Sequence, residues 1–212
     1  MAVVHRFESV GAENVLRSTR LISFERDLDS LALAIKHSAH FPHLWHRAPA
    51  AILADGHWRH ASERLQWDLM RGDFSRTMDS APWPDLIFYD PFSYKADAPL
   101  WTGELFAKVF KHCGGKSTEL YTYSASTLAR SALLAAGFFV ARGVGTGPKS
   151  ETTIAFALPS GAADHPLKPQ LLAHEWLQRW RKSSAKFPAS LSPDEQTRFA
   201  ESIELHPQFH RG

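Results

Sequence analysis

The chain has 212 residues, 44% of them hydrophobic, with 24 Lys and Arg against 22 Asp and Glu and a formal charge of +2. That length and apolar content suit one sizeable α/β core with an appendage, and a charge so near zero excludes a global basic field for nucleic acid. The single cysteine, Cys113, excludes an internal disulfide and a cysteine-rich zinc cluster, and no run reaches the about 18 apolar residues of a membrane span.

Glu8 and Glu13 interrupt the stretch a signal peptide would need, so a soluble, cytoplasmic chain is expected. Arg20 to Phe24 is a short apolar run closed by Glu25, and Asp27 to His40 then repeats apolar residues at Leu28, Leu31, Ala32 and Ile35, the spacing of one helical face. A second run, Leu65 to Met70, ends in Gly72 and Asp73. The third, Asp85 to Tyr94, is continuously apolar until Asp90 and is bounded by Pro82, Pro84 and Pro91, the pattern of a buried parallel strand. Trp101 to His112 has helical periodicity and is closed by Gly114 and Gly115; Glu119 to Tyr123 reads as a strand, Ser126 to Ala136 as a helix stopped by Gly137, and Phe138 to Ala141 as another strand. Gly143 to Ser150 is a glycine-rich turn before a strand-like Thr152 to Leu158.

Beyond Pro159 the expectation is a loop over Gly161 to Pro169, an amphipathic helix over Leu171 to Lys182, and a last helix over Asp194 to Glu204 opened by Ser192 and Pro193. Arg179, Arg181, Lys182 and Lys186 thicken the basic charge there, a patch permissive of RNA without being diagnostic of it. The fold expected is therefore α/β, a mostly parallel sheet with a terminal antiparallel hairpin over 1–159, followed by a helical extension over 160–212.

Two patterns that invite chemistry are weak. In Gly143-Val-Gly145-Thr-Gly147-Pro-Lys149-Ser150, Pro148 removes a backbone donor that a phosphate cradle requires, and the strand-like residues that follow deny a dinucleotide loop its helix N-terminus. A hairpin loop near the pocket fits better. His37, His40, His43 and His46 recur every third residue, but Pro42 breaks the helix that would align them and no carboxylate or thiol completes a metal site, so none is expected.

The acids that end strands have a shared rationale. Ligands of open α/β sheets bind at the carboxyl edge. An acid ending the second strand of a nucleoside-binding sheet accepts hydrogen bonds from both ribose hydroxyls, which assigns Glu25, and one ending the third meets the adenine amino group, which assigns Asp73. Asp90 then faces the reacting atoms, the alternative being a cap on the next turn.

At these residues the chain resembles a known family. Asp90-Pro-Phe-Ser with Pro99 and Trp101, Thr122-Tyr-Ser-Ala, Arg130 with Ala136-Gly137-Phe138, and Gly147-x-Lys149-x-Glu151-x-Thr153 are similar to the MnmC-type methyltransferase domain, over about Arg20 to Phe156. Tyr94 stands where that family has proline, and Ala98 separates Asp97 from Pro99. The resemblance implies a Rossmann-like fold, S-adenosylmethionine as cofactor, and methylation of the amine of a 5-aminomethyl wobble uridine in tRNA, with a separate oxidase as a further partner. It implies Asp90 at the acceptor amine, Phe92 and Tyr94 as pocket walls that stack on the base, and Arg130 and Lys149 at phosphate or the entrance. The first strand and glycine loop of relatives are expected to be missing, with Ala2 to Val10 as the helix that follows them and weak cofactor binding as the consequence. A methyltransferase acting on a small-molecule or protein amine, and a non-catalytic remnant, are the alternatives.

Overall fold

The computed structural model describes residues 1–9, 17–145, 150–188 and 190–210, and the chain divides at Pro82 into two units, Met1–Pro82 and Trp83–Gly212. In the first unit the elements run α1 (Ala2–Ser9), β1 (Thr19–Glu25), α2 (Asp29–Lys36), α3 (Arg47–Asp55), β2 (His57–Arg59), β3 (Leu65–Arg71) and α4 (Phe74–Thr77). The two apolar runs pair in parallel, from Thr19 opposite Leu65 to Glu25 opposite Arg71, and β2 adds antiparallel to β3, giving the order β1-β3-β2. Alternation puts Leu65 and Trp67 of β3 and Trp58 of β2 on one face, where they pack with Val4 of α1 and with Ala48 and Ile52 of α3. Arg20, Gln66, Asp68 and His57 lie on the other, polar face.

The helix expected over Asp27 to His40 stops at Lys36, and two 3-10 turns carry the chain from Ser38 to Leu44. Pro42 is the reason, since it lacks the amide a continuing helix requires and holds Phe41 outside the helical region. Sequence periodicity missed α3 and β2. The helix is opened by His46, whose Nδ1 accepts the Ala48 amide at 3.1 Å, and closed by Gly56 at φ +68°.

The second unit runs β4 (Leu86–Phe88), α5 (Gly103–His112), β5 (Glu119–Thr122), α6 (Thr127–Ala135), β6 (Phe139–Val144), β7 (Glu151–Phe156), α7 (Pro159–Asp164), α8 (His174–Lys182) and α9 (Pro193–Glu204). β4 and β5 are parallel, and the hairpin β6–β7 folds back so that β7 lies antiparallel between β5 and β6, in the order β4-β5-β7-β6. Central placement matches the composition of β7, whose Thr153 to Phe156 are all buried. Thr102, Ser126 and Ser192 cap α5, α6 and α9, the last in a full capping box with Glu195. Among the described residues β1 pairs only with β3 and β4 only with β5, so the ladder forms two sheets where one was expected.

The helical extension expected over 160–212 is part of the second unit. Gln208 explains this physically: its side-chain oxygen accepts the Val140 amide at 2.7 Å, and its nitrogen donates to the carbonyls of Val140 and Leu172. The backbone of Gln170 and Leu172 meets this edge of β6, with the Arg142 amide on the Gln170 carbonyl and the Leu172 amide on the Val140 carbonyl, and the Gln208 side chain satisfies the Val140 amide beside them. Gly161 to Asp164, expected as loop, lies in the short helix α7, opened by Pro159 at its first turn.

Candidate active site

Each of the three acids ends or directly follows its strand at the carboxyl edge. Glu25 is the last residue of β1 and its carbonyl accepts the amide of Gly72, which precedes Asp73. The first two acids therefore close adjacent strands of one parallel pair. Asp90 follows β4 by two residues, and continuing the Phe88–Tyr121 register brings it opposite Tyr123 at the end of β5.

Their carboxylates have different partners. One oxygen of Glu25 accepts the amides of Arg26 at 2.9 Å and Asp27 at 3.4 Å. Asp73 is the N-cap of α4: its Oδ1 accepts the Ser75 amide at 2.8 Å and the Ser75 hydroxyl at 2.5 Å, and the hydroxyl bond leads the interactions that hold its pKa below the usual carboxylate range. Asp90 is exposed, and among the described residues its carboxylate accepts no hydrogen bond. The capping alternative thus describes Asp73 and not Asp90.

Phe92 and Tyr94 share the Asp90 loop. Phe92 is 79% exposed, so an aromatic face of this size stands in solvent next to the acid. Tyr94 is half-buried in a turn closed by the amides of Ala96 and Asp97 on the Ser93 carbonyl. Burial, and after it the Asp90 charge, raises the pKa of Tyr123, whose hydroxyl donates to the Pro91 carbonyl at 3.1 Å. Sequence reasoning missed Tyr123 as part of this site. Its position in Thr122-Tyr-Ser-Ala, at the edge opposite Asp90, was the available signal.

Arg130 departs from the expected contact with phosphate. It is 4% exposed, and its guanidinium donates to Thr153 Oγ1, Glu151 Oε1 and the Thr152 carbonyl, each at 3.0 Å. Thr153 in turn donates to the Ser124 carbonyl at 2.6 Å. The role these bonds give Arg130 is to tie α6 to β7 and, through Thr153, to the loop after β5. Lys149 lies outside the described residues. Among the described residues no three His, Cys, Asp or Glu side chains are placed to hold an ion. No described helix is long and apolar enough to cross a membrane.

The parallel strands, the reversed hairpin and the carboxyl edges define a Rossmann-like α/β methyltransferase fold. The chain belongs to the S-adenosyl-L-methionine-dependent methyltransferase family, whose pattern matches residues 36–157, more than half its length. S-adenosylmethionine is therefore its cofactor. The match includes Asp73, Asp90 and Arg130, whereas Glu25 precedes it. Among solved structures the chain is similar to MNMC2 from Aquifex aeolicus, with 17% identity and a TM-score of 0.53, over 87% of this chain and 66% of that one. At this identity the likeness is one of fold. No curated protein matches the chain.

Proposed function

We propose that this protein transfers a methyl group from S-adenosylmethionine to the amine of a 5-aminomethyl wobble uridine in tRNA, with Asp90 receiving that amine. The observation that carries the reading is the state of the Asp90 carboxylate, exposed at a strand's carboxyl end beside the outward ring of Phe92 and hydrogen-bonded to no described residue. A carboxylate left in this way suits an incoming amine, which brings N–H donors and becomes cationic on methylation. The motif resemblance around Asp90 supports tRNA as the acceptor, and the likeness to MNMC2 is consistent with it in fold alone. The same reading places the protein in the cytoplasm, where tRNA is modified, and leaves release of the free aminomethyl group to a separate oxidase.

The residues present fit the adenosine part of the cofactor by the chemistry of their acceptors. Glu25 and Asp73 each use one carboxylate oxygen locally, and the other makes no hydrogen bond among the described residues. Glu25 would accept the ribose hydroxyls and Asp73 the adenine amino group. Bound there, S-adenosylmethionine supplies an electrophilic methyl group on a sulfonium. Asp90 would accept a hydrogen bond from the acceptor amine and so orient its lone pair, and its charge would stabilise the positive nitrogen that develops on methylation. Proton acceptance by Asp90 is secondary, because the amine need only be neutral at attack. Phe92 and Tyr94 offer aromatic faces on which a splayed base stacks.

The test supplies methyl-labelled cofactor and two tRNAs that differ only in the free 5-aminomethyl group, beside a small aminomethyl nucleoside. Label confined to the wobble nucleotide of the amine-bearing tRNA is the expected result. Label in the small amine alone would replace the substrate, and label in none would leave a binding protein.

A further inference from the structure

Three aromatic side chains close the loop that follows β4, each through a polar atom aimed at a backbone carbonyl. Tyr123 Oη donates to Pro91 at 3.1 Å, Trp101 Nε1 donates to Phe92 at 2.8 Å, and the Tyr89 hydroxyl donates to Leu100. Their rings pack edge to face, Trp101 meeting Tyr89 at 5.5 Å and Tyr123 at 6.1 Å. Trp101 and Tyr89 are 3% and 6% exposed, so the indole N–H and the phenol must find acceptors inside the protein. The carbonyls they find belong to the loop itself.

This has a geometric consequence for Asp90. Pro91 fixes its own φ near −65°, about the value the ring allows, and restricts the residue before it. With the Pro91 and Phe92 carbonyls held by these donors, the Pro91–Phe92 and Phe92–Ser93 peptide planes are set, and together with the proline ring they restrict the direction in which the Asp90 side chain leaves the backbone. We propose that Tyr123 and Trp101 are positioning residues for Asp90, holding the chain after it so that the carboxylate is presented outward in one orientation. The inference rests on the assignment of the acceptor amine to Asp90. It adds that the acid's effectiveness depends on a hydrogen bond made one residue away, by a side chain from the neighbouring strand end. Burial and the adjacent Asp90 charge keep the Tyr123 hydroxyl protonated, and so a donor, throughout the neutral range.

Tyr123→Phe removes the donor and keeps the ring. The expected result is a fall in kcat of about ten- to a hundredfold, the scale of a misplaced reacting group, with cofactor affinity and acceptor KM unchanged within about twofold. In an Asp90→Asn background the same substitution is expected to cost nothing further, because it acts through the carboxylate. Amides of residues 92–98 should exchange faster in Tyr123→Phe than in the wild type, while those of β6 and β7 keep their protection. Equal losses in both backgrounds would overturn the proposal and leave a merely structural tyrosine. So would wild-type turnover by Tyr123→Phe, or unchanged exchange over 92–98. If Asp90→Asn alone keeps full activity, the assignment of Asp90 fails instead, and the exchange measurement still decides whether Tyr123 orders the loop.

Discussion

Asp68 shows how much a carboxylate's surroundings matter in this chain. It lies on the polar face of the first sheet and accepts hydrogen bonds from His57 Nδ1 at 2.6 Å, Arg20 Nε at 2.7 Å and the Gln66 amide at 2.9 Å. Burial alone would raise its pKa, but these donors outweigh burial and hold it below the usual carboxylate range. A depressed folded pKa means that the stabilisation is present above the unfolded value of about 3.9 and is lost as pH falls through the folded value. Asp68→Asn is therefore expected to lower unfolding free energy at pH 7 by about 1 to 2 kcal/mol and to flatten its decline between about pH 5 and 3. Urea titrations across that range check it; parallel pH profiles for wild type and variant would contradict it. Asp68 could not be singled out from sequence, since Arg20 and His57 converge on it only through strand register, and Gln66 only because β3 places it two residues away on the same face. Asp90 could, because the end of an apolar run is visible in the sequence itself.

Among the elements, the strands closed by acids and the helices with capping residues were legible: β1, β3, α5, β5, α6 and the β6–β7 hairpin fall on their apolar runs, as does β4, which is nevertheless not the buried strand expected, since Leu86 and Phe88 are exposed. α3 and β2 were not, because Arg47–Asp55 carries a proline and its cap is a histidine, and β2 is three residues long and held by β3. The inward turn of Arg130 was also invisible, since the sequence does not announce that Glu151 and Thr153 of β7 will lie against α6. That contact makes a prediction at this scale. Removing the Arg130 guanidinium leaves the Thr152 carbonyl and Glu151 Oε1 without that donor, although Arg142 still lies 3.7 Å from Glu151 Oε2, so Arg130→Ala is expected to destabilise the chain by about 1 to 3 kcal/mol. Equilibrium denaturation measures it. A loss below about 1 kcal/mol, together with weakened tRNA affinity, would return Arg130 to the surface role its charge alone suggested.

For the whole molecule, the near-neutral charge predicted no global nucleic-acid field, and the basic patch on α8 is partly neutralised. Arg181 forms an ion pair with Glu204, its Nε lying 2.7 Å from Oε1, and Lys186 sits over the Phe187 ring. Recognition of an acceptor therefore depends on local chemistry, and the account concentrates that chemistry in one carboxylate. The most direct measurement compares wild type with Asp90→Asn for methyl transfer to tRNA bearing the free 5-aminomethyl group, with cofactor affinity determined separately by calorimetry. The amide keeps the shape and loses the charge, so kcat should fall about 30- to 1,000-fold, as when other preorganised electrostatic groups are removed, while the cofactor dissociation constant stays within about twofold. Glu25→Gln should show the opposite pattern, with weaker cofactor binding and a nearly unchanged kcat at saturation. Asp90→Asn turning over amine-bearing tRNA as fast as wild type would contradict the account.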